Sequence, residues 1–200
     1  MSKFKGYEIV KKALPKELCK HISNYFLQKR KVTDMLFNSK YQSPFEEING
    51  GFNDTQAPGC FSIYSDINNE VLLTRLRPTM EKVIGKKLVE AYSYCRVYER
   101  GAVLDKHKDR DSCEFSTTLN LGGDPWPIFI DNTKVLLKQG DMLVYEGCKY
   151  EHWRERFDGV YCTQVFLHYV DEDNNKLKYD GRPMLGLPAF FKGRKLNNDR

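Results

Sequence analysis

The sequence predicts a mainly β protein of the α+β class, with helices placed ahead of a core of short strands. Two segments before residue 85 repeat apolar residues at helical spacing, whereas the segments after it alternate with a period of two or run apolar. Gly, Asp and Asn turns separate these later segments. Strands at such short spacing favour a barrel or a sandwich over βαβ units.

The chain is predicted to open with a strand and a helix. Residues 7–14, YEIVKKAL, are apolar and β-branched, as is typical of a strand. Pro15 then suits the first turn of a helix, where a missing N–H costs little. The apolar positions of this helix are Leu18, Ile22 and Phe26. The basic run QKRK, residues 28–31, is predicted to end it, because positive charge is stabilised at a helix C-terminus.

A long loop and a second helix are predicted next. Residues 38–60 are rich in Asn, Gly, Ser and Pro, and their apolar residues follow neither the helical nor the strand period. Loops of this length are often functional. A helix is predicted over residues 69–84, with Gly85 as its stop. Its apolar stripe is Leu72, Leu76, Met80 and Val83. Pro78 either kinks this helix or marks its true start.

Six segments after this helix predict strands, since they are β-branched and aromatic and end at turn residues. They are AYSYCRVY (91–98), EFSTTLNL (114–121), PIFID (127–131), KVLLK (134–138), DMLVYEG (141–147) and VYCTQVFLHYV (160–170).

Composition limits the function classes. With 200 residues and 40% hydrophobic content, the chain is expected to form a single domain over residues 1–200. A net charge of +5 permits anionic partners but is too mild to indicate nucleic-acid binding. Six irregularly spaced cysteines predict reduced thiols and a cytoplasmic location. No apolar run approaches the roughly 18 residues of a membrane span, so no membrane partner is expected.

Three side chains form a candidate metal site. His107 and Asp109 are two apart in a short run predicted to be extended, which sends them to the same face. His152 begins a later strand, EHWRE. Two imidazoles and one carboxylate make a facial triad that leaves positions open on Fe(II) for a bidentate co-substrate and O₂. The other histidines are predicted to be structural, His21 on a helix surface and His168 buried.

The same residues could belong to other kinds of site. A calcium-binding EF-hand from Asp105 onward is excluded, because its sixth position is Arg110 rather than Gly and its twelfth is not Glu. A zinc site is an alternative, although its cysteines lack the tight C-x₂-C spacing that is usual for such sites. Its ligands would be Cys148, His152, Cys162 and His168. The run DKHKDRD by itself is also compatible with a solvated turn that binds no metal.

The wider pattern resembles a known family. Residues 76–170 resemble the catalytic core of 2-oxoglutarate- and Fe(II)-dependent oxygenases, in particular the prolyl 4-hydroxylase-like branch. The motifs that carry this are VYERGAVLDKHKD (97–109), STTLNLGG (116–123), KQGDMLVYEG (138–147) and HWRERFDG (152–159). Residues 7–26 also resemble the family's opening strand, turn and helix.

The resemblance implies a double-stranded β-helix, or jelly roll, with N-terminal supporting helices. Residues 91–170 would form this core. Residues 1–90 would supply helical support and a loop on the substrate side, and residues 171–200 would be a C-terminal extension.

The resemblance also implies a ligand set. His107, Asp109 and His152 would be the iron ligands and the catalytic residues, and Tyr98 would bind the distal carboxylate of 2-oxoglutarate. The cofactor would be Fe(II) and the co-substrates 2-oxoglutarate and O₂, with ascorbate as a further candidate.

One part of the family pattern is missing. Family members carry a Lys or Arg about ten residues after the distal histidine, but residues 161–164 read YCTQ. A buried dianion needs a cation, so Arg154, two residues after His152 on the same strand face, is the candidate. The alternative for Arg154 is an exposed strand-edge residue. Gln164 is a second candidate for co-substrate binding, or a hydrogen-bonded amide in the core.

The implied function is hydroxylation of a protein, peptide or amino-acid side chain, with proline first among candidates, coupled to conversion of 2-oxoglutarate to succinate and CO₂. Oxidation of nucleic acid or of a small metabolite is an alternative within the same chemistry. A non-catalytic jelly-roll binding module and a cupin-like isomerase or hydrolase are alternatives outside it. The oligomeric state is not indicated by the sequence.

Overall fold

Two helices precede most of the β structure. A computed structural model of the chain describes residues 4–43, 46 and 48–195. Helix α1 is Lys16–Asn38 and helix α2 is Ile67–Ile84. Helix α2 confirms the predicted segment and begins two residues earlier, where the Asp66 side chain accepts a hydrogen bond from the Asn68 N–H. Gly85 ends it in the left-handed conformation, and Pro78 lies inside it.

The described residues also form ten β-strands. They are β1 Tyr7–Val10, β2 Phe61–Tyr64, β3 Leu88–Glu99, β4 Leu104–His107, β5 Phe115–Gly123, β6 Ile128–Ile130, β7 Thr133–Val135, β8 Met142–Tyr145, β9 His152–Arg154 and β10 Tyr161–Asp171. All of the strand pairs are antiparallel.

The strands form two facing sheets. One has the order β1-β8-β5-β10-β3-β2, and the other has the order β4-β9-β6-β7. From β3 to β10 the chain passes repeatedly between the sheets, so that β3, β5, β8 and β10 lie in the first and β4, β6, β7 and β9 in the second. This is a double-stranded β-helix, and it confirms the predicted mainly β fold class with a jelly-roll core and supporting helices.

The strand period of two divides the large sheet into an outer and an inner face. On β10 the odd-numbered Val165, Leu167 and Tyr169 pack with both helices in the main hydrophobic core. The even-numbered Phe166 and His168 point the other way, into the space between the sheets. The helices therefore stiffen the large sheet from outside and leave its inner face available for a site.

Several sequence predictions about the N-terminal part are corrected. Pro15 is an extended N-cap residue and not part of the first helical turn. The basic run 28–31 does not end α1, which continues to Asn38; the buried Thr33 in this extra length donates a hydrogen bond to the Asn49 carbonyl. Strand β2 at the end of the predicted loop was missed. Within that loop, residues 44, 45 and 47 lie outside the described residues.

The C-terminal extension folds back against the barrel. It contains two short 3₁₀ segments, Asn175–Gly181 and Ala189–Phe191. The Gly193 N–H donates to the Gly181 carbonyl at 2.9 Å, which closes residues 181–193 into a compact loop. The division of residues 1–200 into support, core and extension stays a prediction, and residues 196–200 are outside the described part.

Among the described residues, neither helix combines the length and the apolar character needed to cross a lipid bilayer.

Candidate metal and co-substrate site

The three predicted metal ligands meet at one end of the barrel. His107 is the last residue of β4 and His152 the first residue of β9, and the two are directly opposite in the strand register. Asp109 does not share the strand with His107 as predicted, because β4 ends before it. A hydrogen bond from the Asp109 N–H to the Gly147 carbonyl, at 3.0 Å, places it beside the two imidazoles instead.

The donor atoms of this triad face one another. Nε2 of His107 lies 3.6 Å from Oδ1 of Asp109, and Nε2 of His152 lies 3.5 Å from the same oxygen. Nδ1 of His107 is 2.7 Å from the Asp105 carbonyl, and Nδ1 of His152 is 3.1 Å from the Tyr150 carbonyl. Each Nδ1 therefore carries the proton, which leaves both Nε2 lone pairs directed at the same point as Asp109.

Asp109 is held as a carboxylate. Burial alone would raise its pKa, but the favourable interaction of the carboxylate with the adjacent imidazoles of His107 and His152 outweighs burial and keeps the pKa well below the usual value. Its second oxygen, Oδ2, lies 3.2 Å from the Ser116 hydroxyl. Oδ1 is thus the oxygen left for a metal ion.

The donor set fits a divalent iron ion. One ligand atom from each of His107, Asp109 and His152 lies within 4.8 Å of the others, and neighbouring ligands of an octahedral ion would be about 3 Å apart. The three donors come from one side, which leaves the side facing the cavity open. Two neutral imidazoles and one carboxylate match the facial triad of non-haem Fe(II) sites.

The alternative zinc site does not assemble as predicted. Among the described residues, the second cluster with metal-ligand geometry is Asp109, Cys113 and His168, and it shares Asp109 with the triad. Burial raises the pKa of Cys113 well above the usual value, so its thiol stays protonated. Cys148 and Cys162 take part in neither cluster.

Arg154 is a charged side chain buried inside the barrel. Only 1% of its surface is exposed, so the strand-edge interpretation is wrong. Its Nη1 donates to the Trp126 carbonyl at 2.6 Å and its Nη2 to the Thr118 hydroxyl at 3.4 Å, while its Nε has no partner. Burial lowers its pKa, and no described carboxylate pairs with it. A buried guanidinium without an acid partner indicates a place for an anionic ligand.

Tyr98 and Gln164 lie near Arg154 but have different surroundings. The Tyr98 hydroxyl accepts a hydrogen bond from Nη1 of Arg96 at 3.2 Å, so its own proton remains to be donated. The Gln164 amide accepts from Thr118 at 3.0 Å and donates to Sγ of Cys162 at 3.1 Å. Gln164 thus has the geometry of the hydrogen-bonded core amide that the sequence left as its alternative.

Arg96 was missed by the sequence analysis. Its Nε donates to Oδ2 of Asp54 at 2.6 Å and its Nη2 to the Gln56 side chain at 2.7 Å. The signal was present in AYSYCRVY, since Arg96 falls on the same strand face as Tyr98. Arg96 joins the long loop to the barrel wall and already has a carboxylate partner, which distinguishes it from Arg154.

His168 and His21 have the structural positions predicted for them. His21 is exposed on α1. His168 is buried, stacks on Tyr92 with ring centroids 4.4 Å apart, and contacts the Ser116 hydroxyl through Nδ1 at 2.8 Å. Burial lowers the pKa of His168 to about 4, so this imidazole is neutral.

A cavity of about 640 Å³ opens over the triad. The loop around Asp54 forms one wall, the inner faces of β3 and β10 form another, and Ala189 and Lys192 of the C-terminal extension form a third. A cavity of this size accommodates a co-substrate together with part of a second molecule.

Comparisons with known proteins agree with this architecture. The sequence matches no protein-family model and no curated protein. The structure is similar to a prolyl-4-hydroxylase from Pseudomonas putida, with a TM-score of 0.54 and 14% identity over 82% of this chain and 92% of that one.

Two further structures are similar. HygX from Streptomyces hygroscopicus, solved with nickel and 2-oxoglutarate, has a TM-score of 0.60 and 11% identity, covering 84% of both chains. SnoN, a non-haem α-ketoglutarate-dependent epimerase of nogalamycin biosynthesis, has a TM-score of 0.59 and 15% identity over 98% of this chain and 92% of that one. The chain therefore has the jelly-roll fold of the 2-oxoglutarate- and Fe(II)-dependent oxygenases.

Proposed function

We propose that this chain is an Fe(II)- and 2-oxoglutarate-dependent oxygenase. The observation that carries the proposal is the convergence of Nε2 of His107, Nε2 of His152 and Oδ1 of Asp109 at the mouth of a cavity. The similar structure of HygX, which holds nickel and 2-oxoglutarate, supports the same assignment.

The protein's part is to hold three ligands in a fixed arrangement. His107 and His152 lie on adjacent strands of a hydrogen-bonded sheet, and backbone carbonyls fix the rotation of both rings. Asp109 would balance one of the two charges of Fe(II). When bound, iron with 2-oxoglutarate and O₂ supplies the oxidising chemistry that inserts oxygen into a C–H bond and releases succinate and CO₂.

Arg154 and Tyr98 are proposed to bind the distal carboxylate of 2-oxoglutarate. Arg154 follows His152 by two residues, so both side chains point into the same interior. It offers an unpaired Nε, and Tyr98 offers a hydroxyl proton. Gln164 would position the Thr118 hydroxyl, which donates a hydrogen bond to the Gln164 amide and accepts one from Arg154. Arg154 would therefore replace the cation that the family usually carries on the last strand of the barrel.

The substrate is proposed to be a protein, peptide or amino-acid side chain. A prolyl hydroxylase and a collagen prolyl hydroxylase are among the similar structures, and another is HygX with hygromycin B, so small molecules remain an alternative. A cytoplasmic location is part of the proposal. All six cysteines are free, as in a reducing compartment.

Anaerobic titration tests the proposal. Wild-type protein given Fe(II) and then 2-oxoglutarate should develop a visible metal-to-ligand charge-transfer band, and admission of O₂ should yield succinate. His107→Ala should abolish both signals because it removes one of three ligands. His21→Ala is the matched control, since it removes an exposed imidazole far from the site.

Measurements of this kind also distinguish an oxygenase from the alternative functions. A non-catalytic binding module would give neither band nor succinate in wild-type protein. A hydrolase or isomerase using another divalent ion would act on its substrate at the same rate with and without O₂. Either result would overturn the oxygenase assignment.

A further inference from the structure

The cavity has a cationic rim close to the candidate metal site. Arg110 and Lys192 both line it, with 48% and 39% of their side chains exposed. The carboxylate that holds them, Asp180, has only 3% of its side chain exposed. The two cations therefore face the cavity while their shared counter-ion lies behind them.

Asp180 fixes both cations in position. Nη1 and Nη2 of Arg110 each donate to one Asp180 oxygen at 2.7 Å, a bidentate pair. Nζ of Lys192 lies 2.7 Å from Oδ2 of Asp180, which also accepts from the Tyr64 hydroxyl at 2.7 Å. Because Asp180 is bonded from several directions, Arg110 and Lys192 are held in place before any ligand arrives.

The charge balance of the rim is positive. Two cations share one carboxylate, which leaves one unbalanced positive charge. On the opposite wall Asp54 is paired with Arg96 at 2.6 Å. The Glu46 carboxylate accepts from the Ile48 N–H at 2.7 Å and keeps its negative charge, so the positive excess is local to the side of the cavity that carries Arg110 and Lys192. The rim thus attracts an anion in a partly enclosed space, where charges are screened less than in bulk water.

An aromatic wall lies beside these cations. Tyr64 stacks on Tyr92 with centroids 5.0 Å apart, and Tyr92 stacks on His168. The Arg110 guanidinium is 4.6 Å from the centroid of Tyr92, and Nζ of Lys192 is 5.3 Å from that of Tyr64. The cations would bind the charged group of an acidic ligand, and the aromatic rings would pack against a planar or apolar part of the same ligand.

Arg110 connects the cationic rim with the candidate metal site. Arg110 directly follows Asp109 and both line the same cavity, so a group bound to Arg110 shares that cavity with the triad. We propose that Arg110 and Lys192 bind the carboxylate or phosphate of a small acidic substrate and so orient it toward the metal. This deepens, and rests on, the proposed oxygenase function: among the substrate classes proposed above, it selects amino acids and other small free acids over an uncharged peptide segment.

Calorimetric titration of the full chain tests the proposal without turnover. The probes are N-acetyl-L-tyrosine, its uncharged amide N-acetyl-L-tyrosinamide, and phenyl phosphate. The two acids should bind at least tenfold more tightly than the amide and should weaken as salt is added. Tighter binding of phenyl phosphate would assign a phosphate-bearing substrate, and tighter binding of N-acetyl-L-tyrosine a carboxylic acid.

Matched variants locate the binding. Lys192→Gln should weaken acid binding about tenfold, since Asp180 keeps its bonds to Arg110 and Tyr64 and the loop stays in place. Lys192→Arg should restore binding. Lys176→Gln, an equal change of charge at an exposed position of the same extension, should bind the acids like wild type.

Three results would overturn the proposal: no measurable binding of either acid, equal affinity for the acid and its amide, or equal behaviour of Lys192→Gln and Lys176→Gln. Tighter binding of an uncharged proline peptide than of either acid would also overturn it, in favour of a peptide substrate. Because the oxygenase function is tested by succinate formation in wild-type protein, the two proposals can fail separately.

Discussion

Oγ of Ser116 lies 2.8 Å from Nδ1 of His168, in a buried contact between β5 and β10. The same hydroxyl lies 3.2 Å from Oδ2 of Asp109 and 3.1 Å from the Cys113 carbonyl. Because the low pKa of His168 keeps it neutral, its Nδ1–H can donate to Ser116, whose own proton is then available to Asp109. Ser116 thus holds the carboxylate of Asp109, a candidate metal ligand, in position through its Oδ2.

Ser116→Ala is expected to weaken metal binding. Groups that orient a ligand from behind contribute about 10- to 100-fold to affinity, and the variant removes one such hydrogen bond while keeping the strand intact. Calorimetric titration with Ni(II) measures the effect. Thr117→Val is the matched control, because the buried Thr117 hydroxyl has no hydrogen-bond partner. Equal Ni(II) affinity in the two variants would show that Ser116 does not support Asp109.

Arg154→Met should make the metal-free protein more stable and strongly weaken its binding of 2-oxoglutarate. The fully buried guanidinium lacks an acid partner, and replacing such a charge by an apolar side chain of similar length can stabilise by about 1–3 kcal/mol. Removal of the only cation proposed for the distal carboxylate should weaken 2-oxoglutarate binding by about 100-fold or more.

Urea unfolding and titration of the nickel-loaded protein with 2-oxoglutarate measure the two effects of this change. Arg156→Met provides the control, since the neighbouring arginine is exposed and is outside the site. A loss of stability in Arg154→Met with normal 2-oxoglutarate affinity would mean that Arg154 is a structural residue.

The strand pattern was largely predictable because the strands of the large sheet are buried along almost their whole length. Apolar, β-branched and aromatic runs therefore identified most of β3, β5, β8 and β10. Strand β2 was hidden, since four residues give too little alternation to distinguish a strand from the end of a loop. The end of α1 was misplaced because its basic residues are exposed and do not limit the helix, whereas Thr33 anchors its continuation.

The site could be predicted only in part. His107, Asp109 and His152 were found from spacing and family resemblance, and the structure brings them together. The cationic rim could not be found, because Asp180 is 70 residues from Arg110 along the chain and nothing local pairs them. Arg154 was proposed from its strand face, but its burial depends on contacts with Thr118 on β5 and with Trp126 in the loop between β5 and β6.

Stability of the metal-free protein should fall as the pH drops below about 6.5. Burial lowers the pKa of His168 to about 4 from 6.5, so the unfolded chain takes up a proton before the folded one does. Stability from this group is complete above pH 6.5 and is lost as the pH falls toward 4, by about 3 kcal/mol in total.

Urea unfolding at several pH values, with a chelator present, measures this dependence. His168→Gln keeps a polar side chain but cannot titrate, so the curve should flatten between pH 6.5 and 4. His21→Gln should retain the wild-type curve, since His21 is exposed. If His168→Gln keeps the full slope, the loss of stability comes from other groups.

Glu70 is expected to hold the C-terminal extension on the barrel. It is 3% exposed and accepts hydrogen bonds from Ser65, from both the N–H and the hydroxyl of Ser93, and from the Gly186 N–H. Nη2 of the buried Arg182 lies 3.4 Å from its Oε2. Glu70 therefore connects helix α2, strand β3 and the loop that carries Lys192.

Glu70→Gln should lower the free energy of unfolding by about 3 kcal/mol, because the amide cannot neutralise Arg182, and a buried charge left without its partner costs about 3–5 kcal/mol. Urea unfolding measures the change, with the exposed Glu172→Gln as the control that should remain near wild type. Limited proteolysis should also cut Glu70→Gln first within residues 172–195, since loss of the anchor frees that segment before the barrel unfolds. Cleavage that begins in the barrel strands instead would mean that the extension is held mainly by Asp180.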